Sequence, residues 1–141
     1  MRCLGLDLGS KTLGIAISGK TNFIASVDKT IFFKDEDYNS LIEPLREIIM
    51  NEDVGTLVLG LPKNMNNSLG TRAMITLEFK EKLEKELGIE VVMEDERLTS
   101  VISNNILISA NMSRNKRKKK VDGMAAEIIL QGYLDKMRKG N

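Results

Sequence analysis

Four acidic residues and one run of cations are the positions in this chain best equipped for chemistry. Asp7 closes an apolar segment just before Gly9, and Asp95 and Glu96 close another. Asp122 follows a stretch from Arg114 to Lys120 in which six of seven residues are basic. The chain has no histidine and a single cysteine, Cys3. Imidazole therefore supplies neither a general base nor a metal ligand, and cysteine builds neither a disulfide nor a zinc site. Catalysis falls to Asp, Glu, Lys, Ser, Thr or Tyr. Carboxylates bind hard cations through oxygen, which makes Mg²⁺ or Mn²⁺ the natural cofactor. Cys3, inside an apolar segment, reads as core filling.

Positioning these acids takes a sheet. Residues 2–8 and 13–18 read as buried strands, and Gly9-Ser10-Lys11-Thr12 suits a tight turn between antiparallel neighbours. A third strand covers 24–33, with Asp35-Glu36-Asp37 as its solvated exit. Ser40-Leu-Ile-Glu43 has the form of a capping box opening a helix, in which Leu41, Ile42, Leu45, Ile48 and Ile49 recur at helical spacing. Pro44 costs that helix about one early hydrogen bond.

Residues 56–61 are apolar but for Thr56, as a buried parallel strand requires. A helix over 71–87 carries Ala73, Leu77, Phe79, Leu83 and Leu87 on one side and stops at Gly88. A fifth strand covers 89–93, a further helix 99–110, and a final helix 122–138, with the basic stretch as the loop before it. The order β-β-β-α-β-α-β-α-α predicts an α/β fold: a five-stranded mixed sheet, three antiparallel strands and then parallel β/α units, with helices on both faces.

Ligands of such sheets bind beyond the carboxyl ends of the parallel strands. Asp7, the Asp95-Glu96 pair and, across the sheet on the last helix, Asp122 are thereby drawn towards one point. Converging carboxylates repel unless a cation or a proton intervenes, and a divalent ion turns the cluster into a hydrolytic centre. Each acid also has a plainer use. Asp7 suits a turn, the charged string Glu94 to Arg97 suits a solvated strand exit, and Asp122 suits a helix N-cap.

The basic stretch fits a phosphate backbone, because crowded cations gain by releasing the counterions of a nucleic acid. A solvated loop is its plainer reading. Aromatic residues are too scattered to form base-stacking platforms, so recognition by backbone and shape is expected.

Four stretches carry a family resemblance: Leu4-Gly-Leu-Asp-Leu-Gly-Ser-Lys-Thr-Leu-Gly-Ile-Ala16, Leu59-Gly-Leu-Pro-Lys-Asn-Met65, Asp95-Glu-Arg-Leu-Thr-Ser100, and Lys119-Lys-Val-Asp-Gly-Met-Ala-Ala126 leading into Ile129-Leu-Gln-Gly-Tyr-Leu-Asp135. In this order and spacing they resemble the YqgF/RuvX family of Holliday-junction-resolvase-like nucleases over essentially the whole chain. The resemblance implies an RNase H-like fold and a role in maturing the 5′ end of small-subunit ribosomal RNA. It implies catalytic, metal-holding acids at Asp7, Glu96 and Asp122, with Asp95 as substitute for Glu96. Lys11, Arg97, Arg114, Lys116, Arg117, Lys118 and Lys119 are then expected to hold phosphates. Resolvases of the RuvC type carry an acid at the end of strand four; here Gly60-Leu61 stand there, so the second acid comes from strand five.

At 141 residues the chain suits one domain, residues 1–141, and 42% hydrophobic content gives it a core of ordinary proportions. No apolar run approaches the roughly 20 residues of a membrane-spanning helix, so a cytoplasmic protein without membrane contact is expected. The partner expected is structured RNA, with branched DNA second, met by a monomer or weak homodimer. Two other classes compete: a sugar-kinase or actin-like ATPase, since Asp7-Leu-Gly-Ser-Lys resembles their phosphate loop, and a non-catalytic RNA-binding assembly factor. An ATPase of that kind closes two domains around its nucleotide, and this length supplies one.

Overall fold

A computed structural model describes residues 1–21, 24–62, 70–95 and 114–140. The strands are β1 (Arg2–Leu8), β2 (Thr12–Ser18), β3 (Ala25–Phe32), β4 (Val54–Leu61) and β5 (Glu90–Asp95). A 3-10 turn, Tyr38–Leu41, leads into α1 (Ile42–Asn51); α2 spans Thr71–Leu87, and the last helix, α3, spans Arg114–Gly140. The sheet order is β3-β2-β1-β4-β5. β2 is antiparallel to both its neighbours, while β1, β4 and β5 run parallel. The expected hairpin extension on a parallel core is present.

Period-two alternation divides β1 between two cores. Leu4, Leu6 and Leu8 join Leu13, Ile15, Leu57 and Leu59 under α1 and α2, which contribute Leu45, Ile48, Phe79 and Leu83. Cys3 falls on the opposite face with Ala16, Ala25 and Val58, against Ala126, Ile129, Leu130 and Leu134 of α3. The sheet offers mostly small residues on that second face, so α3 can come close. Gly5 shows how close: a Cβ there would stand 2.6 Å from the Ala126 carbonyl oxygen and 2.6 Å from the Leu130 Cβ.

Several local expectations need correction. Ser40 forms no capping box; its hydroxyl donates to the Asp37 carbonyl at 2.7 Å, and α1 begins at Ile42 with no side-chain cap. Pro44 is the third residue of α1, where an amide would have no intrahelical acceptor, so it costs no hydrogen bond. On α2 the buried stripe is Ala73, Thr76, Phe79 and Leu83, with Leu77 only half-buried. Thr76 is accommodated because its hydroxyl donates to the Arg72 carbonyl at 2.8 Å. Gly88 does stop the helix, left-handed at φ 59° with its amide on the Glu84 carbonyl.

The largest correction concerns the last helix. It begins at Arg114, so the basic stretch is helical and not a loop. Lys and Arg are good helix formers, and no Gly or Pro interrupts residues 114–122. Asp122 therefore lies eight residues inside the helix and cannot be its N-cap. The helix expected over 99–110 lies outside the described residues. Among the described residues, no helix is long and apolar enough to cross a membrane.

Candidate active site

Asp7 is the penultimate residue of β1, half-buried. Alternation from Cys3 and Gly5 puts it on the face of the sheet that carries α3. It pairs with Gly14 of β2. On its other side Leu6 pairs with Leu59, so one further residue sets Asp7 beside Gly60 of β4, and Gly60 pairs with Glu94 of β5. Glycines thus flank Asp7 on both neighbouring strands, leaving its row of the face free of side chains until Glu94. The Cα positions of Asp7 and Glu94, two strands apart, are separated by roughly 9–10 Å.

The chain around Asp7 is held from two sides. The turn after β1 is closed by the Gly9 amide on the Thr12 carbonyl at 2.8 Å. The segment after β3 grips the same turn, with the Phe33 amide on the Lys11 carbonyl at 2.9 Å and the Glu36 amide on the Ser10 carbonyl at 3.0 Å. Glu36 adopts a left-handed φ of 62° to do so. From α2, the Arg72 guanidinium donates to the Leu8 carbonyl at 3.1 Å and to the Tyr38 hydroxyl at 3.2 Å. Lys11 itself is exposed on the turn.

The register of α3 against the sheet is fixed at two points. Ala126 and Leu130 lie over Gly5. Further along the helix, the Gln131 side chain accepts from the Ala25 amide at 2.8 Å; Ala25 pairs with Ser18, whose hydroxyl accepts from the Cys3 amide. Helix numbers rise as β1 numbers fall, so α3 runs counter to β1. Asp122 is one turn before Ala126, about 6 Å along the axis, and Asp7 is about 6.6 Å past Gly5. Both positions advance from the Gly5–Ala126 contact towards the carboxyl end of β1. At the far end of α3, Lys136 pairs with Glu94 of β5.

Strand alternation divides the residues of β5 between the two faces. Val91 and Met93 belong to the core under α1 and α2, whereas Glu94 meets Lys136 of α3. Asp95 is in register with Leu61 of β4. Of the other expected residues, Glu96 and Arg97 lie outside the described residues. Arg114, Lys116, Arg117, Lys118 and Lys119 occupy the first turns of α3. Among the described residues no three potential metal ligands stand together.

Two groups elsewhere have displaced pKa values. Burial pushes the Cys3 thiol up, outweighing the N-terminal ammonium that pulls it down. Burial likewise raises the Tyr133 hydroxyl, with smaller contributions from Cys3 and Glu90. Both flank the amino end of β1, away from Asp7. A groove of about 350 Å³ lined by Met1, Arg2, Lys20, Asn51, Glu52 and Asp53 also lies at that remote end.

Comparisons with known proteins identify the family and the fold. The family model RuvX, described as Holliday junction resolvase, matches residues 1–136. The chain belongs to the RuvX family. Among RuvX relatives, a Staphylococcus saprophyticus protein is 47% identical over 138 residues, 97% of each chain. One from Clostridium botulinum is 48% identical over 139 residues, covering 99% of this chain and all of the relative. Both bear the name "Putative pre-16S rRNA nuclease". Among solved structures, Thermus thermophilus RuvC in complex with a Holliday junction matches with a TM-score of 0.63 at 12% identity, covering 100% of this chain and 97% of that one. Fowlpox virus resolvase with junction DNA matches at 0.58 and 13%, covering 97% and 99%. At these identities the likeness is one of fold, and it bears out the α/β, RNase H-like expectation.

Sequence reasoning about this RuvX chain passed over Arg72. One signal was available. Arg72 is the second residue of α2, where the positive end of the helix dipole disfavours a cation, so an acceptor elsewhere had to hold it. Which acceptors, a backbone carbonyl and a tyrosine hydroxyl, no sequence pattern could reveal.

Proposed function

We propose that this chain is a nuclease that hydrolyses phosphodiester bonds of pre-16S ribosomal RNA at its 5′ end, with Asp7, Glu96 and Asp122 holding Mg²⁺ or Mn²⁺. The observation that carries the reading is identity of 47–48% across essentially the full length of proteins named for that activity. The fold supplies the means. Asp7 ends a central parallel strand on the α3 face, and the register of α3 runs Asp122 towards the same end.

The donor set fits a hard divalent cation, being carboxylate oxygen on a chain without histidine. Bound there, the metal would lower the pKa of a coordinated water and neutralise charge on the scissile phosphate. Asp7 is the central ligand. Glu96 is preferred to Asp95, which stands in as its substitute, as the family resemblance implies. Lys11 on the exposed turn, Arg97 and the cations Arg114, Lys116, Arg117, Lys118 and Lys119 hold phosphates on either side of the cut. They act by charge and reach, without reading bases. One copy of the chain carries every residue named, so a monomer suffices, acting in the cytoplasm where ribosomes are assembled.

The test is cleavage of a pre-16S RNA fragment by purified protein with Mg²⁺ or Mn²⁺, wild type beside Asp7→Asn. The substitution is expected to lower the rate at least 100-fold with RNA binding retained; equal rates would end the proposal. The family's description as a resolvase favours a second reading, a DNA four-way junction as substrate. Such an enzyme cuts two strands in concert as a dimer, so preferential cleavage of a junction by a dimeric species would replace the first reading.

A further inference from the structure

We propose that Arg72 is a positioning residue for the Asp7 centre: it fixes the end of β1 and thereby the carboxylate that holds the metal. This rests on the reading of Asp7 as a metal ligand. The geometry is a bridge. One guanidinium nitrogen donates to the Leu8 carbonyl at 3.1 Å, directly after Asp7, and the other donates to the Tyr38 hydroxyl at 3.2 Å. Tyr38 is itself anchored, its ring centroid 5.7 Å from that of Phe33 and 6.2 Å from that of Phe79. Phe79 is fully packed in the α2 stripe, and Thr76 ties the Arg72 carbonyl into the helix. The end of β1 is therefore referenced to the α2 framework and not only to its own hairpin.

The remaining holds on residues 8–11 are main-chain bonds: Gly9 to Thr12, Phe33 to Lys11, and Glu36 to Ser10. Among the described residues, Arg72 is the side chain that grips this segment. The Leu8 carbonyl and the Tyr38 hydroxyl are both neutral, although the charge of Arg72 sits unfavourably in the first turn of α2. A charged donor on neutral acceptors gives a stronger bond than a neutral one, which suits a clasp that must not slip. Residues that orient a metal ligand from behind commonly change metal affinity or activity by 10–100-fold when removed.

The experiment measures Mn²⁺ affinity by electron paramagnetic resonance, and kcat and KM on the RNA fragment, for wild type, Asp7→Asn, Arg72→Gln, Arg72→Lys and Tyr38→Phe. Arg72→Gln is expected to weaken Mn²⁺ about tenfold and lower kcat by a similar factor, with KM within about twofold. Arg72→Lys restores part of the loss, because one ammonium reaches one acceptor at a time. Tyr38→Phe keeps the ring packing and gives a smaller loss in the same direction. Wild-type Mn²⁺ affinity in Arg72→Gln overturns the proposal, as does a rise in KM with kcat and Mn²⁺ affinity intact, which marks a phosphate contact instead. If Arg72→Gln fails to fold, Arg72→Lys and Tyr38→Phe decide, and wild-type Mn²⁺ affinity in both overturns it. Unchanged Mn²⁺ binding in Asp7→Asn overturns the metal reading itself, a different failure from loss of the Arg72 effect alone.

Discussion

Gly5 and Ala126 meet backbone to backbone: the space a Cβ on Gly5 would need ends 2.6 Å from the Ala126 carbonyl oxygen. This contact sets the distance between the strand that carries Asp7 and the helix that carries Asp122. Neither side can yield by a rotamer change, since one obstacle is a helix carbonyl and the other the Cβ of Leu130.

Gly5→Ala must therefore lift α3 from the sheet. Overpacking of this kind costs about 1–3 kcal/mol, read as a lower urea midpoint, and nuclease activity should fall further than stability does. Gly55→Ala is the control. The nearest atoms its added methyl meets belong to the side chain of Met1, which is 80% exposed and can move, so the midpoint should shift much less. Equal losses in the two variants would contradict the packing argument.

Asp122→Ala separates a ligand from a cap. An N-cap aspartate replaced by alanine loses about 1 kcal/mol of stability. Inside a helix the same change gains up to about 0.7 kcal/mol, because alanine is the better helix former. The thermal midpoint of Asp122→Ala is expected at or above wild type while Mn²⁺ binding falls. A lower midpoint with intact Mn²⁺ binding would restore the capping role.

Much of this was legible beforehand, and the failures have physical causes. The apolar runs in β1, β2 and β4 announce buried strands, and Gly88 announces a helix end, because burial and left-handed backbone restrict residue choice locally. The end-of-strand placement of Asp7 followed from the same runs. The helical state of Arg114 to Lys120 was hidden, since a run of like charges reads as a solvated loop although each residue favours helix. The roles of Arg72 and Pro44 depended on what lies at particular distances in space. The face taken by Glu94 became visible only when its Lys136 pair and the core-side Val91 and Met93 fixed the parity of β5.

The raised Cys3 and Tyr133 groups set the alkaline behaviour. Both keep their protons to higher pH in the folded chain than in the unfolded one. The unfolded chain then binds fewer protons once pH passes about 8.5, the ordinary thiol value, and stability falls as pH rises. Below that pH their contribution is fully present. The urea midpoint is expected to drop as pH rises beyond about 8.5, and to drop less in Cys3→Ala. A midpoint that stays flat or rises over this window would contradict the burial of these groups.

The most direct test of the account is anomalous scattering from a crystal soaked in Mn²⁺. The account predicts a peak between the carboxylates of Asp7, Glu96 and Asp122, at the roughly 2.0–2.6 Å expected of hard cations on oxygen. Asp7 and Asp122 oxygens too far apart to share one ion, or a peak held by other residues, would contradict it.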